Sequence, residues 1–327
     1  MKLSPLIIGN IEISPPLLLA PMAGVANLPF RIIASEYGAG FVYTELISAE
    51  ALSRRNEKTE VLLKTDIREK PVGVQLFGAN TETMVMAAEK VAKTGARLID
   101  INMGCPVKKV VKSRSGAALL KDPAKIKEML KAVVDCVNIP VTVKIRTGWD
   151  NKNINAVEIA KIAEECGVKA ITVHGRTALQ SFTGKADWNV IANVKSNVSI
   201  PVIGNGDVTT VQSAKEMFEV TRCDAVMLGR GTLGRPWLFR ETIAFIETGE
   251  IIPHPSQTEI KAVMLEHLNL NICYFGERRG INLFKNHAAW YAKGIRGAIG
   301  FRQKVNKISS CIEMTAAIEE LFESRNS

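Results

Sequence analysis

One cysteine of this chain stands where a reactive thiol is expected. Cys105 lies between Gly104 and Pro106, directly after an apolar segment, whereas three other cysteines fall within helical patterns that are typical of core residues. The loop that follows, residues 107–116, carries Lys or Arg at four positions. That density of positive charge could bind phosphates or lower the pKa of the thiol, although a solvated loop is the simpler alternative. We take Cys105 as a candidate acid or nucleophile.

Two further polar residues interrupt or end apolar segments. Lys144 stands within an otherwise apolar run, where an unpaired ammonium is costly to bury, so it should meet an anion or an electron-rich ring. A flavin would satisfy it, because a cation beside the N1/C2 carbonyl edge stabilises the anionic reduced ring, and the amide of Gln75 can hydrogen-bond the pyrimidine edge. His174 precedes a Gly-Arg pair at a segment end. The alternatives are a lysine that reaches solvent and a core histidine.

Two glycine-containing turns follow the last two apolar segments. Gly206-Asp207 and Gly229-Arg230 occupy positions where barrels commonly hold a phosphate, on backbone N–H groups and the start of a short helix. Arg230 could add a bidentate contact to that phosphate. The carboxylate of Asp207 would repel it, so we expect Asp207 to contribute its N–H or to cap the following helix. Each glycine alone could merely form a turn, but two such turns on adjacent strands favour the phosphate site.

The element pattern explains how these residues could meet. Eight apolar segments rich in Val, Ile and Leu recur through the first three quarters of the chain, each followed by a turn and by helical periodicity. Eight is the number of strands in a (β/α)8 TIM barrel, whose active site is built from residues at the carboxyl ends of the strands. A doubly wound open sheet is the main alternative. The predicted strands are residues 17–22, 41–46, 72–77, 98–103, 141–146, 170–174, 202–205 and 225–229; the predicted outer helices include residues 81–94, 123–137, 155–166 and 211–219.

The pattern changes after Arg240 to helical segments without intervening strands, predicted at residues 259–273, 282–293 and 303–322. We therefore predict two units. Residues 1–240 form a TIM-barrel catalytic domain, and residues 241–327 form a small all-helical C-terminal domain.

Composition and charge limit the classes of binding partner and the cellular locations that we expect for this protein. Hydrophobic residues at 46% and charged residues at 23% are ordinary for a folded protein and argue against disorder. The net charge is +9, and residues 278–312 carry eight Lys or Arg without any Asp or Glu, which suggests a polyanionic partner. No apolar run is long enough to span a bilayer, and no cysteine pair has zinc or thioredoxin spacing. We expect a cytoplasmic protein with no metal, no membrane association and no obligate protein partner.

Several motifs occur in order over nearly the whole chain, and together they resemble the tRNA-dihydrouridine synthase family. A further segment, KNHAAWYAKG at residues 285–294, is similar to the helical tail of the bacterial B branch of that family. The motifs are PMAGV at 21–25, QLFG at 75–78, DINMGCP at 100–106, KIRTG at 144–148, HGRT at 174–177 and GNGD at 204–207.

The resemblance implies an FMN barrel with a helical tRNA-binding domain, in which NADPH reduces FMN and the flavin reduces the C5–C6 double bond of a uracil. Hydride would pass from flavin N5 to C6, and the Cys105 thiol would protonate C5 as the general acid. The substrate uridine would lie near Asn102 and Arg176. The residues implied in cofactor binding are Pro21, Met22, Ala23, Gln75, Lys144, His174, Asn205, Gly206, Asp207, Gly229 and Arg230. The residues expected to contact tRNA phosphates are Lys293, Arg296, Arg302 and Lys304.

Two other functions stay open at this point. An FMN barrel acting on a small molecule, such as a dihydroorotate or enoate oxidoreductase, would share the flavin site but would need no basic helical tail. A non-catalytic tRNA-binding module could keep the barrel as a scaffold, although Cys105, Lys144 and the two phosphate turns argue against it.

Overall fold

The computed structural model describes residues 2–69 and 71–323. The strands are β1 (Leu6–Ile8), β2 (Ile11–Ile13), β3 (Leu17–Leu19), β4 (Val42–Tyr43), β5 (Ile47–Ser48), β6 (Val72–Phe77), β7 (Leu98–Met103), β8 (Val141–Arg146), β9 (Ala170–His174), β10 (Val202–Asn205) and β11 (Ala225–Leu228). The helices are α1 (Leu28–Glu36), α2 (Ala49–Ser53), α3 (Glu57–Glu60), α4 (Thr81–Ala92), α5 (Lys108–Lys112), α6 (Pro123–Cys136), α7 (Ala156–Glu165), α8 (Trp188–Lys195), α9 (Val211–Thr221), α10 (Leu238–Thr248), α11 (Gln257–Phe275), α12 (Glu277–Tyr291), α13 (Ala298–Val305) and α14 (Cys311–Glu323). Short 3₁₀ helices also occur at Val61–Leu63, Ile67–Glu69, Gly116–Lys121 and Arg230–Thr232.

The strands from β3 to β11 form a closed parallel barrel. Going round the sheet, β11, β10, β9, β8, β7 and β6 lie side by side in chain order, with β3 beside β11 and β4 beside β6. Leu18 pairs in parallel with Phe41, and the Leu19 N–H donates to the Phe41 carbonyl at 2.9 Å, which closes the ring between β3 and β4. A doubly wound sheet requires a reversal of strand order that is not present here. The TIM-barrel prediction is confirmed.

Most predicted strands agree with the structure, and the second predicted strand is the main exception. The segments at 72–77, 98–103, 141–146, 170–174 and 202–205 begin and end as predicted. Residues 41–46 were expected to form one strand, but β4 and β5 pair with β6 in registers that differ by one residue. The Thr44 hydroxyl accepts from the Gln75 N–H at 3.2 Å, in place of a backbone carbonyl. A bulge at Thr44 therefore divides the strand.

The amino-terminal hairpin of β1 and β2 covers one end of the barrel interior. Its buried residues pack against Leu98, Ala170 and Ala225, which are the first residues of their strands. The hairpin therefore lies at the amino-terminal end of the barrel and leaves the carboxyl end open. A second, larger layer of apolar side chains fills the space between the strands and the outer helices.

The C-terminal helices α11–α14 form a separate core that docks on the barrel through Ile33 and Trp237. The single helix predicted at residues 303–322 is wrong, because the chain forms α13 and α14 with a turn between them. The Ser310 hydroxyl accepts from the Glu313 N–H, and the Glu313 carboxylate accepts from the Ser310 N–H. This reciprocal arrangement starts a new helix and follows the Ser-x-x-Glu pattern of a capping box.

The predicted domain boundary at residue 240 falls inside α10. Leu238, Phe239 and Ile246 of this helix pack in the barrel core. We therefore propose that the barrel domain extends through α10 and that the helical domain follows it. Residues 1, 70 and 324–327 of the two predicted domains lie outside the described residues. Among those described, no helix is long and apolar enough to cross a bilayer.

The first prediction concerns the stability of variants at Gly40, which lies beside the pair of strands that closes the barrel. A Cβ at this position would lie 1.9 Å from the Pro15 carbonyl oxygen, and the Gly40 N–H donates to the Leu17 carbonyl beside the closing pair. We expect Gly40→Ala to lower the free energy of unfolding by about 1–3 kcal/mol or more, as overpacking does. Gly300→Ala is the control, because Gly300 lies in α13 with open space around it. It should be neutral or stabilising by about 0.5–1 kcal/mol. Denaturant unfolding of both variants measures the difference, and equal stability would contradict the account of closure.

Candidate active site

A cavity of about 370 Å³ opens at the carboxyl ends of the barrel strands. This volume lies within the range of about 300–1,000 Å³ that is typical of small-ligand sites. Gln75 and Arg176 are not among its lining residues, and the four cations predicted to contact RNA are exposed on the helical domain. The predicted site residues that line the cavity are Pro21, Met22, Ala23, Asn102, Cys105, Lys144, His174, Asn205, Gly206, Asp207, Gly229 and Arg230.

Lys144 projects from β8 into the cavity and donates to a neutral partner. Its Nζ lies 2.9 Å from Asn205 Oδ1, and Asn205 Nδ2 donates in turn to the Met227 carbonyl at 2.8 Å. Burial, together with Arg146, lowers the pKa of Lys144 to about 8 against the opposing effect of Asp100. An ammonium in this setting would be stabilised by an anionic or electron-rich ligand.

Asp207, which belongs to the first of the two glycine-containing turns, forms an ion pair with Arg176. An Arg176 amino group lies 2.7 Å from Asp207 Oδ1, and the Ala186 N–H donates to Asp207 Oδ2 at 2.8 Å. Although burial opposes the change, the Ala186 N–H and Arg176 hold the pKa of Asp207 below its usual value. The expected role of Asp207 as a helix cap is wrong, because the side chain of Thr210 caps α9. Arg176 neutralises the carboxylate that would otherwise repel a phosphate.

Arg176 also anchors the loop that follows β9. Its Nε donates to the Thr183 carbonyl at 3.1 Å and its Nη2 to the Gly184 carbonyl at 2.6 Å. The side chain is buried behind this loop, and the cavity lining comes from Phe182 instead. The placement of Arg176 near the substrate uridine stays a prediction. Its contacts are those of a residue that holds the loop in place.

Phe182 and Arg146 are lining residues to which the sequence assigned no role. Phe182 is 54% exposed, and the guanidinium groups of Arg146 and Arg230 lie 5.5 and 4.8 Å from its ring centroid. Arg146 also donates to the carbonyls of Gly104 and Thr177, both at 2.8 Å. The only sequence signal for Phe182 was an aromatic residue in a polar loop at a strand end.

Cys105 is held by its backbone, and its thiol is partly buried. Its N–H donates to Asn102 Oδ1 at 2.9 Å, and its carbonyl accepts from the Ala117 N–H at 3.0 Å. Burial raises the pKa of the thiol and outweighs the Val107 N–H and the nearby cations Arg146 and Lys144. The cations that lower this pKa are Arg146 and Lys144 and not those of the basic loop, which favours the alternative of a solvated loop. The lysines of that loop point into solvent, so water screens them.

His174 contributes a neutral ring with an unpartnered nitrogen. Its Nδ1 is buried and has no hydrogen-bond partner in the part of the chain that the structure describes. Burial lowers the pKa of His174 well below its usual value, and Lys144 and Arg146 act in the same direction. The ring is therefore uncharged at neutral pH, and its buried Nδ1 is left without a partner among the described residues. No cluster of three or more His, Cys, Asp or Glu that could hold a metal occurs within residues 2–69 and 71–323.

Gln75 lies below the cavity in a network of polar side chains. Its Nε2 donates to Asp100 Oδ2 at 2.6 Å, and its Oε1 accepts from Asn102 Nδ2 at 2.8 Å. Burial raises the pKa of Asp100 to about 6, against hydrogen bonds from Thr142 and Gln75. These contacts use one of the two hydrogens of the Gln75 amide group and leave the other without an acceptor. Binding of the flavin ring by Gln75 stays a prediction.

Sequence comparison with known proteins gives consistent results over nearly the whole chain. The sequence model of the family described as Dihydrouridine synthase (Dus) matches residues 18–326. The chain is 40% identical to tRNA-dihydrouridine synthase B of Pseudomonas aeruginosa, over 97% of this chain and 96% of the relative. It is 42% identical to the protein of the same name from Pasteurella multocida, over 96% and 95% of the two chains. A probable tRNA-dihydrouridine synthase of Rickettsia bellii is 41% identical, over 97% and 98%.

Solved structures share the fold at much lower identity. Histamine dehydrogenase from Rhizobium sp. 4-9 matches with a TM-score of 0.56 and 15% identity, over 82% of this chain and 50% of that one. Morphinone reductase in complex with tetrahydroNAD matches with a TM-score of 0.52 and 11% identity, over 79% and 93%. At these identities the similarity establishes the barrel architecture alone.

The partly buried thiol generates the second prediction. We expect the pH midpoint for alkylation of Cys105 to lie above about 8.5, the usual pKa of a free cysteine, because burial disfavours the thiolate. Lys144→Met should raise the midpoint further, because Lys144 favours the charged form. Peptide mass spectrometry after short exposure to iodoacetamide across a pH series measures both values. A midpoint at or below about 7 would mean that the cations outweigh burial.

Proposed function

Because this chain belongs to the dihydrouridine synthase family, we propose that it reduces the C5–C6 double bond of specific uridines in tRNA to 5,6-dihydrouridine. The proposed prosthetic group is FMN, and the proposed reductant is NADPH. The observation that carries the proposal is that the Cys105 thiol and the Lys144 ammonium line one cavity at the carboxyl end of the barrel. Similarity to relatives named as tRNA-modifying enzymes, over 97% of the chain, favours this function over a small-molecule oxidoreductase or a scaffold. We place the reaction in the cytoplasm, where the six cysteines, all free thiols, would stay reduced.

The cavity residues fit a flavin mononucleotide. Lys144 offers a cation beside a neutral amide, and His174 offers an unpartnered nitrogen. A Cβ at Gly229 would lie 3.5 Å from Ala20 and 3.8 Å from Met22, two lining residues, so a side chain there would fill space that the ligand needs. When bound, FMN would supply hydride from N5 to C6 of the uracil. The residues that would hold its ring are Pro21, Met22, Ala23, Gln75, Lys144 and His174, and those that would hold its ribityl phosphate are Asn205, Gly206, Asp207, Gly229 and Arg230.

Cys105 would act as the general acid of this reaction. A thiol whose pKa is raised by burial stays protonated at neutral pH and can deliver its proton to C5 of the uracil. General acid catalysis of this kind contributes about 10²–10⁴ in rate. Asn102, which lines the cavity and accepts from the Cys105 N–H, would position the thiol loop beside the uridine. The uridine must first leave the tRNA stack to enter the cavity.

The exposed cations of the helical domain would hold the surrounding tRNA. Lys293 and Arg296 lie in the turn between α12 and α13. Arg302 and Lys304 lie on α13, where Arg302 donates to a backbone carbonyl and Lys304 pairs with Glu320. An exposed ion pair is worth about 0–1 kcal/mol, so Lys304 can exchange Glu320 for a phosphate at little cost. These four residues therefore offer a local positive surface for a polyanion.

The role of Cys105 gives the third prediction. We expect Cys105→Ala to leave flavin content and flavin reduction by NADPH unchanged, and to slow uracil reduction by about 10²–10⁴. The reason is that the thiol donates a proton to the uracil and does not hold the flavin. Stopped-flow bleaching of the flavin and a dihydrouridine assay measure the two half-reactions separately. Cys136→Ala is the matched control, since Cys136 is a partly buried thiol on an outer helix. Equal losses in both half-reactions of Cys105→Ala would assign Cys105 a structural role.

The basic surface gives the fourth prediction, which concerns salt dependence. Each phosphate contact should contribute a log–log slope of affinity against salt of roughly −0.7 to −0.9, through release of counterions. Removal of the contacting cations should therefore weaken binding and make the slope shallower. Fluorescence anisotropy with labelled tRNA across a salt series measures both. The variant changes four residues together to Ala: Lys293, Arg296, Arg302 and Lys304.

A control variant with the same loss of charge distinguishes the effect of local phosphate contacts on tRNA binding from the effect of net charge. It changes four exposed lysines on or at the end of outer barrel helices to Ala: Lys93, Lys127, Lys131 and Lys161. The control should keep most of the wild-type slope. If the first variant is folded and keeps the wild-type affinity and slope, the tRNA surface lies elsewhere, and the basic loop after Cys105 becomes the next site to test.

A further inference from the structure

We propose that Asp100 is a positioning residue for the Cys105 loop and that it acts through Gln75 and Asn102. The inference rests on the proposed function, which makes Cys105 the proton donor. Asp100 itself is 1% exposed and does not line the cavity. We call the chain of side chains from Thr142 through Asp100 and Gln75 to Asn102 the buried relay.

The barrel register brings the relay together. Gln75 pairs with Asp100 across β6 and β7, and Asp100 pairs with Thr142 across β7 and β8. Asp100 and Asn102 are two residues apart on β7, so their side chains lie on the same face of the sheet. Thr142 Oγ1 donates to Asp100 Oδ1 at 2.6 Å, and Gln75 Nε2 donates to Asp100 Oδ2 at 2.6 Å. Asn102 Nδ2 then donates to Gln75 Oε1 at 2.8 Å.

The carboxylate sets the direction of every hydrogen bond in this chain. An ionised carboxylate only accepts, whereas an amide side chain can present either its oxygen or its NH₂ group. Asp100 therefore requires the NH₂ group of Gln75 to face it, which turns the Gln75 oxygen towards Asn102. A reversed Gln75 would place two NH₂ groups against each other. The orientation of Asn102 thus depends on a residue two hydrogen bonds away.

The last link joins the relay to the thiol. Asn102 Oδ1 accepts from the N–H groups of Gly104 and Cys105 at 3.2 and 2.9 Å. A reversed Asn102 would present its NH₂ group to these two donors, and each lost partner costs about 1–3 kcal/mol where water cannot replace it. Loss of Asp100 would therefore release the backbone on the amino-terminal side of the thiol, while the Ala117 contact to the Cys105 carbonyl remains.

Burial of a carboxylate in the barrel interior costs more free energy than burial of an apolar side chain. Burial disfavours its charged form and raises the pKa of Asp100, so an apolar side chain would pack there at lower cost. What the carboxylate adds is an acceptor that cannot be reversed. This property matters here because two amides stand between Asp100 and the reactive loop.

The first test uses the chemical reactivity of the thiol and needs no tRNA. In FMN-loaded protein, Asp100→Ala should change the rate of Cys105 alkylation by iodoacetamide by roughly 3–10-fold, the factor that loss of about one net hydrogen bond gives. The exposed thiol of Cys273 serves as an internal control and should react as in wild type. Asp100→Asn should give a rate between those of wild type and Asp100→Ala, because its oxygen can still accept from Gln75 but its side chain, unlike a carboxylate, can also be reversed.

Two further variants make this test decisive. Glu69→Gln removes an equally buried carboxylate, paired with Arg31 outside the relay, and should leave Cys105 alkylation unchanged. Gln75→Met breaks the relay between Asp100 and Asn102 and should change Cys105 alkylation as Asp100→Ala does. It also provides the test if Asp100→Ala does not fold. Wild-type reactivity of Cys105 in both Asp100→Ala and Gln75→Met would overturn the proposal. So would equal changes at Cys105 and Cys273, which would indicate general loosening of the protein.

The second test asks whether Asp100 acts through Cys105 during turnover. We expect Asp100→Ala to slow single-turnover uracil reduction by pre-reduced enzyme in the wild-type background and to have no additional effect in the Cys105→Ala background. An equal loss in both backgrounds would overturn the proposal, because Asp100 would then act on the flavin or on the fold. A wild-type protein that forms no dihydrouridine would overturn the proposed function, and the alkylation result would still decide the role of Asp100.

Discussion

Closure of the parallel sheet between Leu18 and Phe41 is the constraint on which the rest of the structure depends. In a closed barrel the carboxyl ends of all strands meet at one rim, so residues far apart in the sequence share a cavity. Cys105 after β7, Lys144 on β8 and Arg230 after β11 meet in this way. An open sheet would leave β3 paired with β11 but would separate β3 from β4, so the strand ends would no longer meet at one rim.

The same rim connects the cavity to the helical domain. Val25 lines the cavity, and its carbonyl lies 3.1 Å from His287 Nε2 of α12. Two residues later, Asn27 caps α1 and donates to Asn271 Oδ1 of α11 at 3.1 Å. His287 is fully buried, and burial lowers its pKa to about 3, so this contact is made by a neutral ring. The segment that forms one wall of the cavity therefore also fixes the orientation of the basic surface relative to it.

Sequence patterns predicted those features that depend on local composition. Strands such as β8 and β9 are buried on both faces, rich in Val and Ile, and bounded by turns, so their limits could be read directly. The bulge at Thr44 could not, because a side-chain hydroxyl replaces a backbone acceptor there. The raised pKa of Cys105 was also missed, since sequence gives the charge of the loop but not the burial of the thiol. The relay from Asp100 required the strand register, which joins residues on three different strands.

Reduction of uridine in tRNA by this barrel can be tested by direct chemical detection of the product. Unmodified tRNA would be incubated without oxygen with the purified protein, FMN and NADPH, then digested to nucleosides and analysed by mass spectrometry. We expect dihydrouridine, which is two mass units heavier than uridine, only when the protein and the reductant are both present. Intact uridine throughout, from folded protein with bound flavin, would contradict this expectation.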